Sequence, residues 1–428
     1  MIAPSESASP GAPGKTGTRG SGKRSARPTV APSRRARRGT ERRPVVLALV
    51  GYYPPAFRAG GPTRSLPGIL RLLADELEFR VLSRDHDLGA RDRLDGIVVD
   101  RWVETDGGRV RYLPTAQRPA VAVLGAIRRT PHDVLYVNSI FAVQFGLLPL
   151  LLRRIRVLPR RGLVIAPRGE LDHQALAIKG RRKRLVLAAM RALGLTTGAV
   201  WHTATADEAE AVRREFGAAA EVLVARDLPV PPLPSRNAAN RRAKRPGALR
   251  AVFLGRVARI KNLDYAIRVL TTLGGGEVTL DVLGPREDEA YWDECRALAE
   301  RLPPSIRVAY RGVVAPDDVP SVLARYDLLF LPSKGESFGH AIVEALLAGC
   351  PVLISDQTPW HGLETRRAGW DLPLSGPEGF ADALRTCIAM TDAEHAAWSE
   401  GAQGVGREIV EDPGLEPAYR AVFRAALS

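Results

Sequence analysis

The stretch Pro332-Ser333-Lys334-Gly335-Glu336-Ser337-Phe338-Gly339-His340-Ala341-Ile342-Val343-Glu344-Ala345-Leu346-Leu347-Ala348-Gly349-Cys350-Pro351 decides how this chain is read. Before it, Leu328 to Leu331 is a short apolar run with the length of a buried strand, and Pro332 with the Ser/Gly residues ends it. A helix is expected from near His340, ended by Gly349, with Pro351 opening the next strand at Val352 to Ile354. Strand, loop, helix and strand make one unit of a parallel α/β sheet. Glu344 is the lone charge on the Ala/Ile/Val/Leu helix. A carboxylate in such surroundings needs a hydrogen-bonding partner, and ligand hydroxyls suit it. Glu336 lies eight residues earlier, and the first-turn amides between the two could hold a diphosphate.

The same alternation extends in both directions. Towards the N-terminus, strands are expected at Arg250 to Leu254, Val278 to Leu283 and Ile306 to Tyr310, with helices starting near Asn262, Asp288 and Ala315. Further back, strands at Val45 to Val50, Phe79 to Ser83, Val134 to Val137, Leu163 to Ala166 and Val200 to Thr203 alternate with helices near 62–75, 118–129, 141–154, 181–193 and 206–215. The proline-rich stretch from Asp227 to Gly247 reads as a linker between the two series. The 428 residues therefore divide into a basic tail over 1–43, one Rossmann-like domain over 44–226, a linker over 227–248 and a second such domain over 249–428, whose last helix is allowed to cross back. Two such domains place the carboxyl edges of two sheets across a cleft, where doubly wound sheets bind ligands.

Strand Arg250 to Leu254 runs into Gly255-Arg256-Val257-Ala258-Arg259-Ile260-Lys261, and Asn262 is expected to cap the helix Leu263 to Leu273. Three cations beside a helix N-terminus oppose its dipole unless an anion sits among them, and phosphate is the obvious anion. A charge run alone is more often a solvated loop; the position at the sheet's carboxyl edge favours the anion.

Charge and cysteine usage narrow the function classes. Net charge is +15, and the tail, with eleven Lys or Arg and two Glu, carries +9 of it. Its Ser, Pro, Gly, Ala and Arg content predicts disorder, and Ser9 to Thr16 resembles a P-loop without its first glycine or a preceding strand. Cys295, Cys350 and Cys387 form no CxxC pair, which excludes a cysteine-built zinc site and fits a reducing, cytoplasmic setting. The longest apolar run, Ile140 to Leu152, is too short for a membrane span, which needs about 20 residues. Asp85-His86-Asp87 has a metal-site look and is read as a loop after a strand.

Together, Gly255-Arg256 with Lys261-Asn262, the Glu336/Glu344 pair and Gly349-Cys350-Pro351-Val352 resemble the donor site of GT-B glycosyltransferases, specifically the retaining group called glycosyltransferase family 4. The resemblance implies a GT-B fold of two Rossmann-like domains, a nucleoside-diphosphate sugar donor (UDP- or GDP-linked), and no catalytic metal or other cofactor. It implies that Arg256 and Lys261 neutralise the donor diphosphate, Glu336 contacts the transferred sugar and Glu344 the ribose. Gly255 would admit the donor, Ser337, Phe338, Gly339 and His340 would supply the loop around it, and Arg311, in Tyr310 to Val313, would line the base. Gly60-Gly61-Pro62 matches the family's glycine loop. Ala166-Pro167-Arg168-Gly169-Glu170-Leu171 resembles the Pro-Arg-Gly variant of polysaccharide-building members, where Arg168 would touch donor phosphate or acceptor. His173 and His202 are read as structural.

The acceptor implied is a glycan or lipid-linked hydroxyl. Arg153, Arg154, Arg156, Arg160 and Arg161, with Lys179, Arg181, Arg182, Lys183 and Arg184, beside the apolar run, fit either peripheral contact with an anionic membrane or a buried helix with a solvated basic end. Two other readings stay open. One is a GT-B sugar-nucleotide epimerase, since fold does not fix reaction. The other is a basic nucleic-acid-binding protein, although no base-reading motif accompanies the tail, so no specific nucleic acid is expected.

Overall fold

The computed structural model describes residues 42–90, 92–114, 119–172, 176, 180–228 and 242–428. The tail up to residue 41 with its P-loop-like stretch, His173, Lys179 and positions 229–241 of the linker lie outside the described residues.

Two sheets organise the chain. The first holds β1 (Val45–Leu49), β2 (Glu78–Arg84), β3 (Trp102–Thr105), β4 (Gly108–Leu113), β5 (Val134–Asn138), β6 (Gly162–Ala166), β7 (Ala199–Thr203) and β8 (Glu221–Val224) in the order β3-β4-β2-β1-β5-β6-β7-β8. Only β3 runs antiparallel, to β4. The second holds β9 (Ala248–Leu254), β10 (Glu277–Leu283), β11 (Ile306–Gly312), β12 (Leu328–Leu331), β13 (Val352–Ser355) and β14 (Gly369–Leu372), all parallel, in the order β11-β10-β9-β12-β13-β14. Central strands such as Val45–Leu49 and Leu328–Leu331 are buried throughout, because helices cover both faces; that is why they read as unbroken apolar runs. The strand order reverses at β1/β5 and at β9/β12. Crevices for ligands open at such switch points, beyond the strands' carboxyl ends.

In chain order the helices are α1 (Pro62–Leu73), α2 (Pro119–Arg129), α3 (Leu148–Arg154), α4 (Gly180–Ala192), α5 (Ala206–Phe216), α6 (Leu263–Thr271), α7 (Glu289–Ala299), α8 (Val319–Leu323), α9 (His340–Leu347), α10 (Pro377–Ala389), α11 (Asp392–Val410) and α12 (Leu415–Leu427). The last, α12, packs in the core of the first domain: Phe423 meets Phe79 edge-on at 5.6 Å and Tyr136 at 5.9 Å, and the Tyr419 hydroxyl donates to the Arg226 carbonyl at 3.0 Å. The first and the last of the described elements thus lie in the same domain.

Three expectations need correction. The helix expected over 141–154 is a π-helical turn, Val143–Leu147, followed by α3. Pro149 has no amide hydrogen, so it suits the first turn of a new helix rather than the interior of a longer one. The hairpin β3–β4 and the strands β8 and β14 are not among the expected elements; β3 alternates polar residues at a half-exposed edge and so lacks an apolar signature. Asn262 occupies the N-cap position of α6 with a left-handed φ of 61° and no side-chain cap bond, and α6 ends at Thr271 rather than Leu273.

Candidate active site

The loops at the two switch points face each other across a cleft of about 1660 Å³, whose lining includes Gly60, Gly61, Arg64, Arg168, Gly255, Arg256, Lys261, Glu336, Ser337, Phe338, Gly339, His340 and Glu344. Thus twelve of the thirteen sequence-predicted site residues converge, joined by Arg64, which the sequence did not single out. The volume exceeds that of a single small-ligand pocket, about 300 to 1000 Å³, and leaves room for two substrates.

On the second-domain wall, the loop after β9 is fastened to the loop after β12. The Lys334 amide donates to the Ile260 carbonyl at 2.8 Å, and Lys261 Nζ donates to Glu336 Oε1 at 2.5 Å. Ser333 Oγ donates to the same carboxylate oxygen at 2.7 Å, so Glu336 is oriented by two donors. Of the three cations, Arg259 turns away to Glu294 and the Tyr291 ring. Arg256 pairs with the half-exposed Glu287; all three of these cations, and Lys334, lie on the cleft lining.

Helix α9 begins after Gly339, whose φ of 78° favours glycine. A Cβ there would stand 2.8 Å from Ile342 Cδ1. Trp360 Nε1 donates to the Phe338 carbonyl at 2.5 Å, fixing the loop from below, while the Phe338 ring packs on Trp360 and His340. With Ser337 to Ala341 on the cleft lining, the helix presents its positive dipole end to whatever lies between the domains. Glu344, one turn in, is buried and pairs with Arg64 from α1. The partner that its apolar setting demands is therefore supplied from across the cleft. Burial lowers the Arg64 pKa, the mark of a guanidinium drawn out of water.

The first-domain wall comes close to the opposite loops, and at Gly169 close enough to exclude a Cβ. A Cβ on Gly61 would lie 3.0 Å from His340 Cδ2, one on Gly60 3.9 Å from Arg256 Nε, and one on Gly169 would collide with Ser337 Oγ. Arg168 follows β6 with a positive φ of 55°. Its Nε donates to Asn138 Oδ1 at 2.8 Å, its Nη2 to the Tyr136 hydroxyl at 2.6 Å, and its Nη1 to Asp227. Asp227 also accepts from Ser65 Oγ at 2.8 Å, and Ser65 Oγ lies 3.2 Å from His340 Nε2. Burial pushes the Asp227 carboxyl up, but Arg168 and then His340 hold it well below the usual carboxylate range. Burial, followed by the charge of Arg168, pulls His202 down to about 3, so this histidine is a neutral core group bonded to Tyr136 and the Ala225 carbonyl.

Arg311 is the site residue that does not converge. It is exposed, pairs with Asp281 at 2.9 Å and is absent from the cleft lining, where Val313 and Val314 stand instead. Its side chain shares a face of the β10/β11 ladder with Asp281, so the ion pair forms on the sheet and not at its carboxyl edge. Asp87 of the Asp85-His86-Asp87 loop braces the approach to Gly60: its carboxylate accepts from the amides of Phe57, Arg58 and Leu88. Among the described residues no cluster with metal-site composition occurs. The sequence missed Arg64 and Asp227. The signals were there: Arg64 is the cation in the first turn after the Gly-Gly-Pro loop, and Asp227 stands beside the apolar Leu228-Pro229-Val230.

Residues 235–402 match the family described as glycosyl transferases group 1. Among curated proteins, a 2-deoxystreptamine glucosyltransferase of Streptomyces kanamyceticus is 32% identical over 102 residues, covering 23% of this chain and 26% of its own. A D-inositol 3-phosphate glycosyltransferase of Mycobacteroides abscessus is 30% identical over 196 residues, covering 40% and 43%. The chain thus spans from about a quarter to two-fifths of the length of these relatives. Among solved structures, Anabaena HepE in complex with UDP and glucose superposes with a TM-score of 0.65 at 18% identity, covering 89% of this chain and 100% of that one. Sucrose-phosphate synthase from Thermosynechococcus elongatus gives 0.64 at 16%, covering 90% and 98%. These superpositions span both domains and the cleft, so the architecture is GT-B, and Arg256, Lys261, Glu336 and Glu344 all fall within the stretch that matches the glycosyl transferases group 1 family.

Proposed function

We propose that the protein is a retaining glycosyltransferase that moves a sugar from a nucleoside-diphosphate donor to a hydroxyl acceptor. The observation that carries this reading is one wall of the cleft: Lys261 bonded to Glu336, Arg256 beside them, and the N-terminus of α9 pointing at the same space. That wall offers fixed positive charge for a diphosphate and fixed carboxylates for sugar and ribose hydroxyls. Glu336, already oriented by Lys261 and Ser333, takes the hydroxyls of the transferred sugar; Glu344 takes the ribose as Arg64 yields. The front-face route then needs little from the protein beyond positioning and charge stabilisation of the departing diphosphate, which itself helps take the acceptor proton. Arg256, Lys261 and the helix dipole supply that charge, so no metal is required. UDP is the favoured nucleotide, because HepE, with the same architecture, has been solved with UDP-glucose.

The acceptor we infer is a lipid-linked or growing glycan, reached from the cytoplasmic side. The first domain supports this with exposed Leu151, Ile155, Leu185 and Leu193 beside the arginines of 153–161, which cap backbone carbonyls such as Thr197, Leu193 and Arg154 while staying at the surface. No helix among the described residues is long and apolar enough to cross a membrane, so contact would be peripheral.

The test is product analysis with UDP- and GDP-sugars. Release of free nucleoside diphosphate with retained anomeric configuration in the product supports the proposal. An altered sugar nucleotide without release would make the protein an epimerase. Sedimentation with anionic liposomes tests the membrane face separately: binding that weakens with salt supports it, and absence of binding at low salt removes it.

A further inference from the structure

The chain leaves the first domain after β8 and returns to it between α11 and α12, and the two passages are tied to each other. Arg226 stands just beyond β8. Its Nη2 donates to Asp412 Oδ2 at 2.6 Å in the returning passage, and its carbonyl accepts from the Tyr419 hydroxyl of α12 at 3.0 Å. The Arg226 guanidinium also lies 5.8 Å from the centroid of the Trp360 ring, which belongs to the loop after β13 in the second domain. At that distance the cation is held by the ring face as well as by Asp412.

Trp360 connects this junction to the donor loop. It is buried, its ring meets that of Phe338 edge-on at 5.4 Å, and its one donor, Nε1–H, is given to the Phe338 carbonyl at 2.5 Å. The peptide between Phe338 and Gly339 is planar and trans, so a bond that fixes the carbonyl also fixes the Gly339 amide, which points the opposite way. Gly339 is the N-cap of α9 and lines the cleft, and its N–H makes no hydrogen bond among the described residues. Asp227, next in sequence to Arg226, reaches the same turn at a second point, with Oδ2 3.8 Å from His340 Nε2. Two consecutive residues of the first domain thus bear on Phe338 to His340, one through an indole and the other at an imidazole. Neither Arg226 nor Trp360 lines the cleft.

We propose that Arg226 and Trp360 are positioning residues for the nucleoside diphosphate: the Arg226–Asp412 junction seats the indole, and the indole aims the first amides of α9 at the diphosphate. Because the Arg226–Trp360 contact crosses from one domain to the other, the seating of the domains on each other sets the geometry of the donor loop. The inference rests on the glycosyltransferase reading and deepens it by naming residues behind the cleft that govern its anion contact.

The test is calorimetric titration of the full chain with UDP and GDP, and then with uridine and guanosine. Trp360→Phe keeps an aromatic ring between Phe338 and Arg226 but has no N–H to give; Arg226→Gln removes the cation from the ring and from Asp412. Each variant should bind the nucleoside diphosphate that the wild type prefers about fivefold more weakly, while binding the matching nucleoside, which lacks the diphosphate, as the wild type does. Arg226→Lys should recover part of the loss. The double variant should lose no more than the weaker-binding single variant, because both changes act on one peptide unit. Wild-type diphosphate affinity in either single variant, an equal loss with the nucleoside, or losses that multiply in the double variant overturns the proposal. If Trp360→Phe fails to fold, Arg226→Gln, whose side chain is 30% exposed, decides. A wild type that binds neither nucleotide defeats the donor assignment itself, and the inference falls with it.

Discussion

Arg168 and Arg256 line the same cleft, each in a loop leaving the carboxyl end of a parallel strand, yet they are built for opposite purposes. Arg168 is buried and answered by Asp227, Asn138 and Tyr136. Arg256 is a third exposed and answered by one carboxylate, Glu287, that is itself 41% exposed. The first guanidinium has spent its donors inside its own domain; the second can release a weakly held surface partner at little cost. A cleft arginine is therefore not evidence of ligand contact until its other partners are counted. Arg168 is a candidate for holding the wall in place, with His340 and Ser65 joined to it through Asp227, while Arg256 is a candidate for meeting phosphate.

The largest expected effect tests that division on the buried side. Asp227→Ala leaves the Arg168 charge uncompensated in the interior and should cost about 3 to 5 kcal/mol of folding stability, read by urea unfolding. Arg256→Ala should change the same quantity by less than about 0.5 kcal/mol. Equal losses in the two variants would erase the distinction.

The converse holds for turnover. Arg256→Ala and Lys261→Ala should each slow transfer by about 2 to 4 kcal/mol of transition-state stabilisation, the scale of losing one preorganised oxyanion donor. The melting temperature of Arg256→Ala should stay near wild type, whereas Lys261→Ala also takes a partner from the nearly buried Glu336. Full turnover in either variant, with donor shown to be bound, would remove that residue from the proposed chemistry.

This contrast also explains what the sequence could disclose. The donor wall is nearly local: Gly255 to Asn262 and Pro332 to Pro351 are two short segments, each following its own strand, and the pairing of β9 with β12 is all that is needed to bring Lys261 to Glu336 and Glu344. The opposite wall is assembled from Ser65, Tyr136 and Asn138 of β5, Arg168, Asp227 and Tyr419, which come from five separate segments and meet only when five parallel strands and the returning α12 have packed. Arg64 illustrates the limit well. Sequence reasoning established that Glu344 needed a partner on its apolar helix, but the partner stands in another domain, 280 positions away. Arg311 illustrates the opposite failure, since a run of four residues after a strand does not say which of them point along the sheet and which reach its edge.

Next in size is the Glu344 interaction. Glu344→Ala removes a charged acceptor facing the nucleotide and should weaken nucleoside-diphosphate binding by about 1.5 to 3 kcal/mol, measured by titration calorimetry. Unchanged affinity would confine Glu344 to its ion pair with Arg64 and leave the two domains held by a contact without a role in recognition.

The smallest effect separates two carboxylates on the first-domain wall. Burial, reinforced by Asp207 and opposed by Arg214, raises the Asp172 carboxyl to about 6, whereas Arg168 holds Asp227 low. Between pH 4 and pH 6 the native protein therefore keeps a proton on Asp172 that the unfolded chain has lost, so stability falls as pH rises through that window and levels above it. Allowing for partial exposure, the fall is about 1 to 2 kcal/mol. Asp227 has the other sign: its contribution is complete above its unfolded value and disappears only as pH drops below about 4. Asp172→Asn should accordingly flatten the stability profile between pH 4 and 6 and leave the acid limb intact. A profile that keeps its slope in the variant would mean that the carboxylate next to Asp207 is solvated like an ordinary surface acid, and that the cleft on this side is wetter than its walls suggest.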